Sequence, residues 1–211
     1  MVKITKRLQA PRSLKNENDY RTNPNWNALV QDCFNKCYIC ECGKATTLNV
    51  EHLIPHKGND ALKYDWGNLF LACGHCNKAK QDRYDNILDP SQIDPEHCIE
   101  LSLITESFIE KVNVKALACD AQTQQTTNLL NRVYNGNTDI EKTESANLRN
   151  EISKCMQMFY QCLKDYQDEP DLGYDVLISE AIARSSEFAA FKRKIIRDDA
   201  ELSAVFATAL Q

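Results

Sequence analysis

No apolar run in the 211 residues is long enough to cross a bilayer. The opening Met-Val-Lys-Ile-Thr-Lys-Arg-Leu has charges but no long apolar core behind them, so a secretory signal is not expected and a cytoplasmic location is. Internal repeats and low-complexity tracts are missing, which excludes solenoid arrays and leaves a folded globular chain. Net positive charge is missing too. The formal charge is −5, against a protein that grips nucleic acid through bulk positive charge. The charge is uneven: residues 1–84 hold 13 Lys and Arg against 8 Asp and Glu, whereas residues 85–211 hold 12 against 22. The first part tolerates polyanions, and the acidic part suits a protein partner.

Cysteine, by contrast, is abundant. Ten cysteines in a chain expected in the cytoplasm need an explanation other than disulfides. Four stand as two short pairs, Cys37-Tyr-Ile-Cys40 and Cys73-Gly-His-Cys76, at the spacing by which one tetrahedral zinc ion staples two distant segments. A closed four-thiolate Zn2+ site is structural, and it stabilises an element too small to hold itself together. Cys33, Cys42 and His75 are substitute ligands in reserve. The other cysteines read as small, partly buried residues.

The order of elements places this knuckle. Residues 1–24 read as a basic N-terminal arm with Lys3, Lys6, Arg7, Arg12, Lys15 and Arg21, ordered on a partner or on DNA. Residues 25–90 read as the zinc-bearing core. Trp26, Leu29, Val30 and Phe34 predict a helix over about 25–35, with Pro24 at its start. Thr47–Ile54 predicts a strand stopped by Pro55, Trp66–Leu71 a second strand, and Asn77–Tyr84 a helix. Residues 91–211 read as a hairpin, from strands Cys98–Ile104 and Phe108–Val114 around the spacer Thr105-Glu-Ser, followed by helices over 121–134 and about 140–166 and two or three more. The expected class is α+β with a mainly α-helical C-terminal region.

Glu51-His52 lies between the thiol pairs. Phosphodiester hydrolysis needs a base for water, which a neutral imidazole supplies, and a hard cation to neutralise charge, for which Glu51 and Asn77 offer oxygens. Asn68 can hold the loop before it and so aim His52. Asn77-Lys78-Ala79-Lys80 is expected to open a helix whose free N–H groups favour phosphate. Lys57, Lys78, Lys80 and Arg83 are the candidate contacts to nucleic-acid backbone. His56 could approach from the loop and ranks below these. Zinc binding requires none of the oxygen and imidazole set. Their presence argues against a non-catalytic zinc-stabilised nucleic-acid-binding or adaptor module, the alternative reading, beside which stands an RNA (tRNA)-cleaving nuclease.

Val50-Glu-His-Leu-Ile-Pro-His-Lys-Gly58, Gly67-Asn-Leu, and Leu71-Ala-Cys-Gly-His-Cys-Asn-Lys-Ala-Lys80 together resemble the HNH (ββα-metal) endonuclease family. The resemblance implies a zinc-stapled ββα-metal core with His52 as general base, Asn68 as the middle asparagine, and Asn77 with Glu51 on a catalytic Mg2+ or Mn2+. The last motif position is Asn rather than His. The whole chain is also similar to the HNH subunit of Septu-type and retron-associated anti-phage defence. That similarity rests on Lys3-Ile-Thr-Lys6 with Pro11, the 98–114 segment and Thr126-Thr-Asn-Leu-Leu-Asn131. It implies a nucleic-acid substrate (DNA favoured) and an ABC/SMC-like ATPase partner, whose contact the charge distribution places on the acidic helical part. Through that partner it implies a retron reverse transcriptase and its nucleic acid.

Overall fold

The computed structural model describes residues 1–16, 19–106 and 108–211; the Lys15 side chain and Ser107 lie outside the described set. Helix α1 (Asn23–Asp32) begins with a proline in its first turn, where the missing N–H costs nothing, and leads to the first thiol pair. Strand β1 (Leu48–His52) pairs antiparallel with β2 (Leu69–Cys73), with Leu48 opposite Cys73 and His52 opposite Leu69. Every residue of β2 is buried, as its unbroken run Leu-Phe-Leu-Ala-Cys requires. The connection holds a single-turn helix α2 (Asp60–Lys63) and a 3-10 turn at Trp66–Asn68. Asn68 therefore precedes the second strand, which starts later than the sequence pattern suggests. Helix α3 (Gly74–Lys80) follows β2 directly.

Hairpin β3 (Ile99–Glu106) and β4 (Ile109–Ala116) come next. Its ladder runs further than expected, through Thr105 opposite Glu110 and Glu106 opposite Ile109, so two spacer residues are strand. Phe108, expected in the partner strand, sits instead in the turn with φ of 67°. Helices α4 (Ala121–Asn135), α5 (Asp139–Asp168), α6 (Tyr174–Ile182), α7 (Ala189–Asp198) and α8 (Ala200–Val205) complete the chain. Between α4 and α5, Gly136 takes φ of 69°, and a Cβ there would meet Lys142 N at 2.6 Å, so only glycine fits. Thr138 and Glu141 then form a capping box that starts α5. Among the described residues no helix is long and apolar enough to cross a membrane.

The N-terminal segment does not hang free, contrary to its basic composition. Met1, Val2, Ile4 and Leu14 are buried in the core, and Ile4 N donates to Pro90 O at 2.9 Å. The Lys6 ammonium lies over the Trp66 and Phe70 rings and donates to the Trp66 and Leu69 carbonyls. Burial brings its pKa down to about 8. Arg7 pairs with Asp32 at 3.0 Å. These cations are spent inside the molecule and are not offered to a polyanion.

The C-terminal region shares its core with the ββα element. Lys36 of the knuckle is buried and donates to Arg184 O and Ser186 O at 2.6 and 2.7 Å. Glu96, ahead of β3, receives Arg193 and Arg197 of α7, each at 2.7 Å. Glu96→Ala leaves the buried Arg193 guanidinium without its carboxylate and is expected to cost about 3–5 kcal/mol. Urea denaturation checks this as a lowered midpoint.

Candidate metal centre and active site

The four cysteines of the two pairs converge. Their sulfurs all lie within 4.8 Å of one another and all four residues are buried. A zinc ion with arms of about 2.3 Å sets the tetrahedron edge near ~3.8 Å, and Cys40 Sγ and Cys73 Sγ are 3.8 Å apart. The donor set therefore fits Zn2+ as it stands. Cys73 also caps α3, its sulfur accepting from Cys76 N at 3.5 Å. Tyr38 N donates to Leu71 O at 2.8 Å, which ties the knuckle to β2. The reserve ligands are elsewhere. Burial pushes the Cys33 and Cys42 thiols up to about 11. His75 has both ring nitrogens engaged, Nδ1 with Glu144 Oε2 at 3.0 Å and Nε2 with Val133 O at 2.7 Å, and so fastens α3 to α4 and α5.

Beside β1 and α3 a cleft of about 300 Å³ is lined by Glu51, His52, His56, Lys57, Asn77 and Asp82, among others. His52 is 7% exposed, and its Nε2 sits 3.1 Å from Lys63 O. A carbonyl only accepts, so Nε2 carries the proton and Nδ1 keeps a lone pair. Burial, opposed by the Lys63 carbonyl, holds the imidazole pKa below its ordinary value and keeps the ring neutral near pH 7. Two rings hold it edge-on: Tyr20 at 4.8 Å and His56 at 4.7 Å between centroids. Tyr20 went unnoticed in the sequence because no period or motif links it to His52. His56 is half-buried, and its Nδ1 accepts from Gly58 N at 3.1 Å.

Asn68 is 3% exposed and spans the loop between the strands. Its Nδ2 donates to Ile54 O and Leu62 O, both at 2.9 Å, and its Oδ1 accepts from Ile54 N at 2.7 Å. One amide thus closes both ends of the segment from which Lys63 reaches His52.

Three expectations for the basic residues change. Helix α3 begins at Gly74, not Asn77, and its first N–H groups are taken, Gly74 N by Thr47 O and Cys76 N by Cys73 Sγ. No helix N-terminus opens at Asn77, which is the fourth residue of α3, past the turn whose N–H groups would face a phosphate. The helix stops at Lys80 because Gln81 turns to φ of 44°, so Arg83 lies in a separate 3-10 turn. Lys80 has no exposed surface. Its ammonium donates to Glu51 Oε1 at 3.0 Å and His52 O at 2.8 Å, so it cannot touch a nucleic-acid backbone. The spacing carries the reason: Cys76 and Lys80 are four apart on one helix, and a buried Cys76 sends Lys80 inward. Lys78 and Arg83 are exposed, and Lys57 is exposed beside Asp85 at 3.3 Å.

Glu51 carries the test for a hard cation. Burial raises its carboxyl above the usual range despite the Lys80 ammonium. Its negative charge is under-compensated, and among the described residues Oε2 has no hydrogen-bond partner. With the Asn77 amide in the same cleft, the donors are oxygens of the kind that Mg2+ and Mn2+ accept. The residues present fit such an ion.

No curated protein matches the chain. Residues 37–83, which hold both thiol pairs, the Glu51-His52 step, Asn68 and Asn77, match the family model of the HNH endonuclease.

Proposed function

We propose that the protein is a metal-dependent HNH endonuclease that hydrolyses nucleic-acid phosphodiesters, with DNA as the favoured substrate. The observation that carries this reading is a cleft holding a buried neutral imidazole, with Nδ1 unpartnered among the described residues, together with the Glu51 carboxylate and the Asn77 amide. His52 Nδ1 takes a proton from water as the water oxygen bonds to phosphorus. The bond from phosphorus to the departing sugar oxygen breaks, and that oxygen takes a proton from solvent. Glu51 and Asn77 would hold a divalent cation, which supplies neutralisation of charge on the phosphate and the departing oxygen. Asn68 keeps the loop that orients His52; Lys57 at the cleft, with exposed Lys78 and Arg83 beyond it in sequence, would contact backbone phosphates.

The proposal extends to an anti-phage defence complex of the Septu or retron-associated kind, in which an ABC/SMC-like ATPase controls cleavage. This rests on the likeness of the whole chain and on the acidic charge of residues 85–211. Exposed Leu172, Val176 and Leu177 lie in that acidic part. The proposed ATPase contact is tested by charge-bearing substitutions there rather than by deletion, because the region shares the core of the nuclease element.

The activity is tested on supercoiled plasmid and on RNA with Mg2+ or Mn2+. Conversion to nicked or linear product that EDTA abolishes is the expected result. Absence of cleavage of both substrates with either ion, alone and with the ATPase added, overturns the reading.

A further inference from the structure

We infer that Lys80 is a positioning residue that acts through Glu51, which deepens the nuclease reading and rests on it. Its ammonium has no exposed surface and spends two donors on the last two residues of β1, Glu51 Oε1 at 3.0 Å and His52 O at 2.8 Å. Both of those residues line the cleft. Asn77, three residues earlier on α3, lines the same cleft, so one helical turn supplies a side chain to the site and a clamp behind it.

Two consequences follow from this geometry. The clamp fixes Glu51 by Oε1, which leaves Oε2 as the oxygen open to a cation. The clamp also sets a fixed positive charge against the only carboxylate of β1, so a divalent ion at Glu51 shares its counter-charge with an ammonium. Lys80 thereby orders the site for catalysis while weakening its hold on the ion. A buried ion pair of this kind is retained for geometry rather than for net stability. A phosphate contact is excluded by the burial, and a purely structural pair predicts no effect on the ion.

The test compares wild type, Lys80→Met, Glu51→Gln/Lys80→Met and Lys80→Arg, with His52→Ala alongside. Mn2+ binding to the protein alone is followed by titration, with the unfolding midpoint, DNA affinity across salt, and cleavage at saturating DNA. Lys80→Met is expected to cleave about 100-fold more slowly, the scale of a roughly one-ångström misplacement. Mn2+ binding is expected to tighten by about threefold or more as the competing charge goes. That gain is expected to vanish in the Glu51→Gln background. DNA affinity and its salt slope stay as in wild type. Unchanged cleavage, an unchanged Mn2+ isotherm, or a gain that survives Glu51→Gln overturns the inference, as does a reduced salt slope. Should Lys80→Met fail to fold, Lys80→Arg decides. It keeps the charge and moves the donors, so Mn2+ affinity stays within about threefold while cleavage falls at least tenfold, and full cleavage sinks the idea. A wild type that cleaves nothing is a failure of the nuclease reading instead, and the Mn2+ isotherms then judge Lys80 alone.

Discussion

His52→Ala is expected to reduce cleavage by about 10²–10⁴-fold, the range by which a positioned general base accelerates a reaction. The zinc content should stay the same, because none of the four sulfurs touches the imidazole's partners. Stability should fall by about 1–3 kcal/mol, for the lost hydrogen bond to Lys63 O and the lost edge contacts with Tyr20 and His56. Gel-based cleavage rates, zinc stoichiometry and an unfolding curve together check this. Retained cleavage by the variant removes His52 as the base. The same side chain sets a pH dependence. Burial favours the neutral ring, and the folded pKa lies below the ordinary histidine value. The proposed base is therefore expected to be competent at neutral pH. The rate should fall with unit slope only as pH drops through that lowered pKa, below about 6.5. A divalent cation on Glu51 repels a second positive charge and moves this acid limb further down, not up. A profile that loses activity already above pH 7 would contradict the assignment.

The parts of the site that could be read in the chain are those set by short spacings. Two residues between thiols fix a knuckle wherever the chain folds, and Pro24 opens a helix and Gly136 closes one by local geometry. The α+β class and the helical C-terminal region emerged from periodicity for the same reason, since a helix must repeat its buried face. What stayed hidden depends on contacts between residues far apart. Lys6 looks like an arm cation until Trp66 and Phe70 close over it. Met1, Val2, Ile4 and Leu14 follow no period, so nothing marks them as core. Tyr20 reaches His52 across more than thirty residues without a motif. Lys80 was half legible: its spacing from Cys76 puts it on the buried face, yet its company of basic neighbours suggested solvent. Composition describes the average residue of a segment, and a functional site is built from the exceptions.

Cys73→Ser is expected to cost the protein its folded state rather than its chemistry. Cys73 does three things at once: it supplies a sulfur to the cluster, ends β2 opposite Leu48, and caps α3 through Cys76 N. Serine keeps a capping oxygen but is a poor fourth ligand beside three thiolates. Structural zinc sites contribute apparent free energies of about 10–16 kcal/mol in small peptides. That equals or exceeds the ~5–15 kcal/mol by which a whole domain is normally stable. Helices α4–α8 share one core with the knuckle, and His75 and Lys36 carry the damage across to α4, α5 and the segment before α7. The loss should therefore be global, visible as insoluble or molten protein with less than one zinc per chain. The proposed zinc and the proposed catalytic cation should separate by the same logic. EDTA should stop cleavage at once, and Mg2+ or Mn2+ should restore it, because Glu51 and Asn77 face an open cleft. The cysteine cluster is buried, so zinc should leave only when a stronger chelator is joined by denaturant, and activity lost that way should not return with Mg2+. If EDTA alone released zinc and unfolding accompanied the loss of cleavage, the division between frame and chemistry would be wrong, and the thiol pairs would belong to the reactive centre after all.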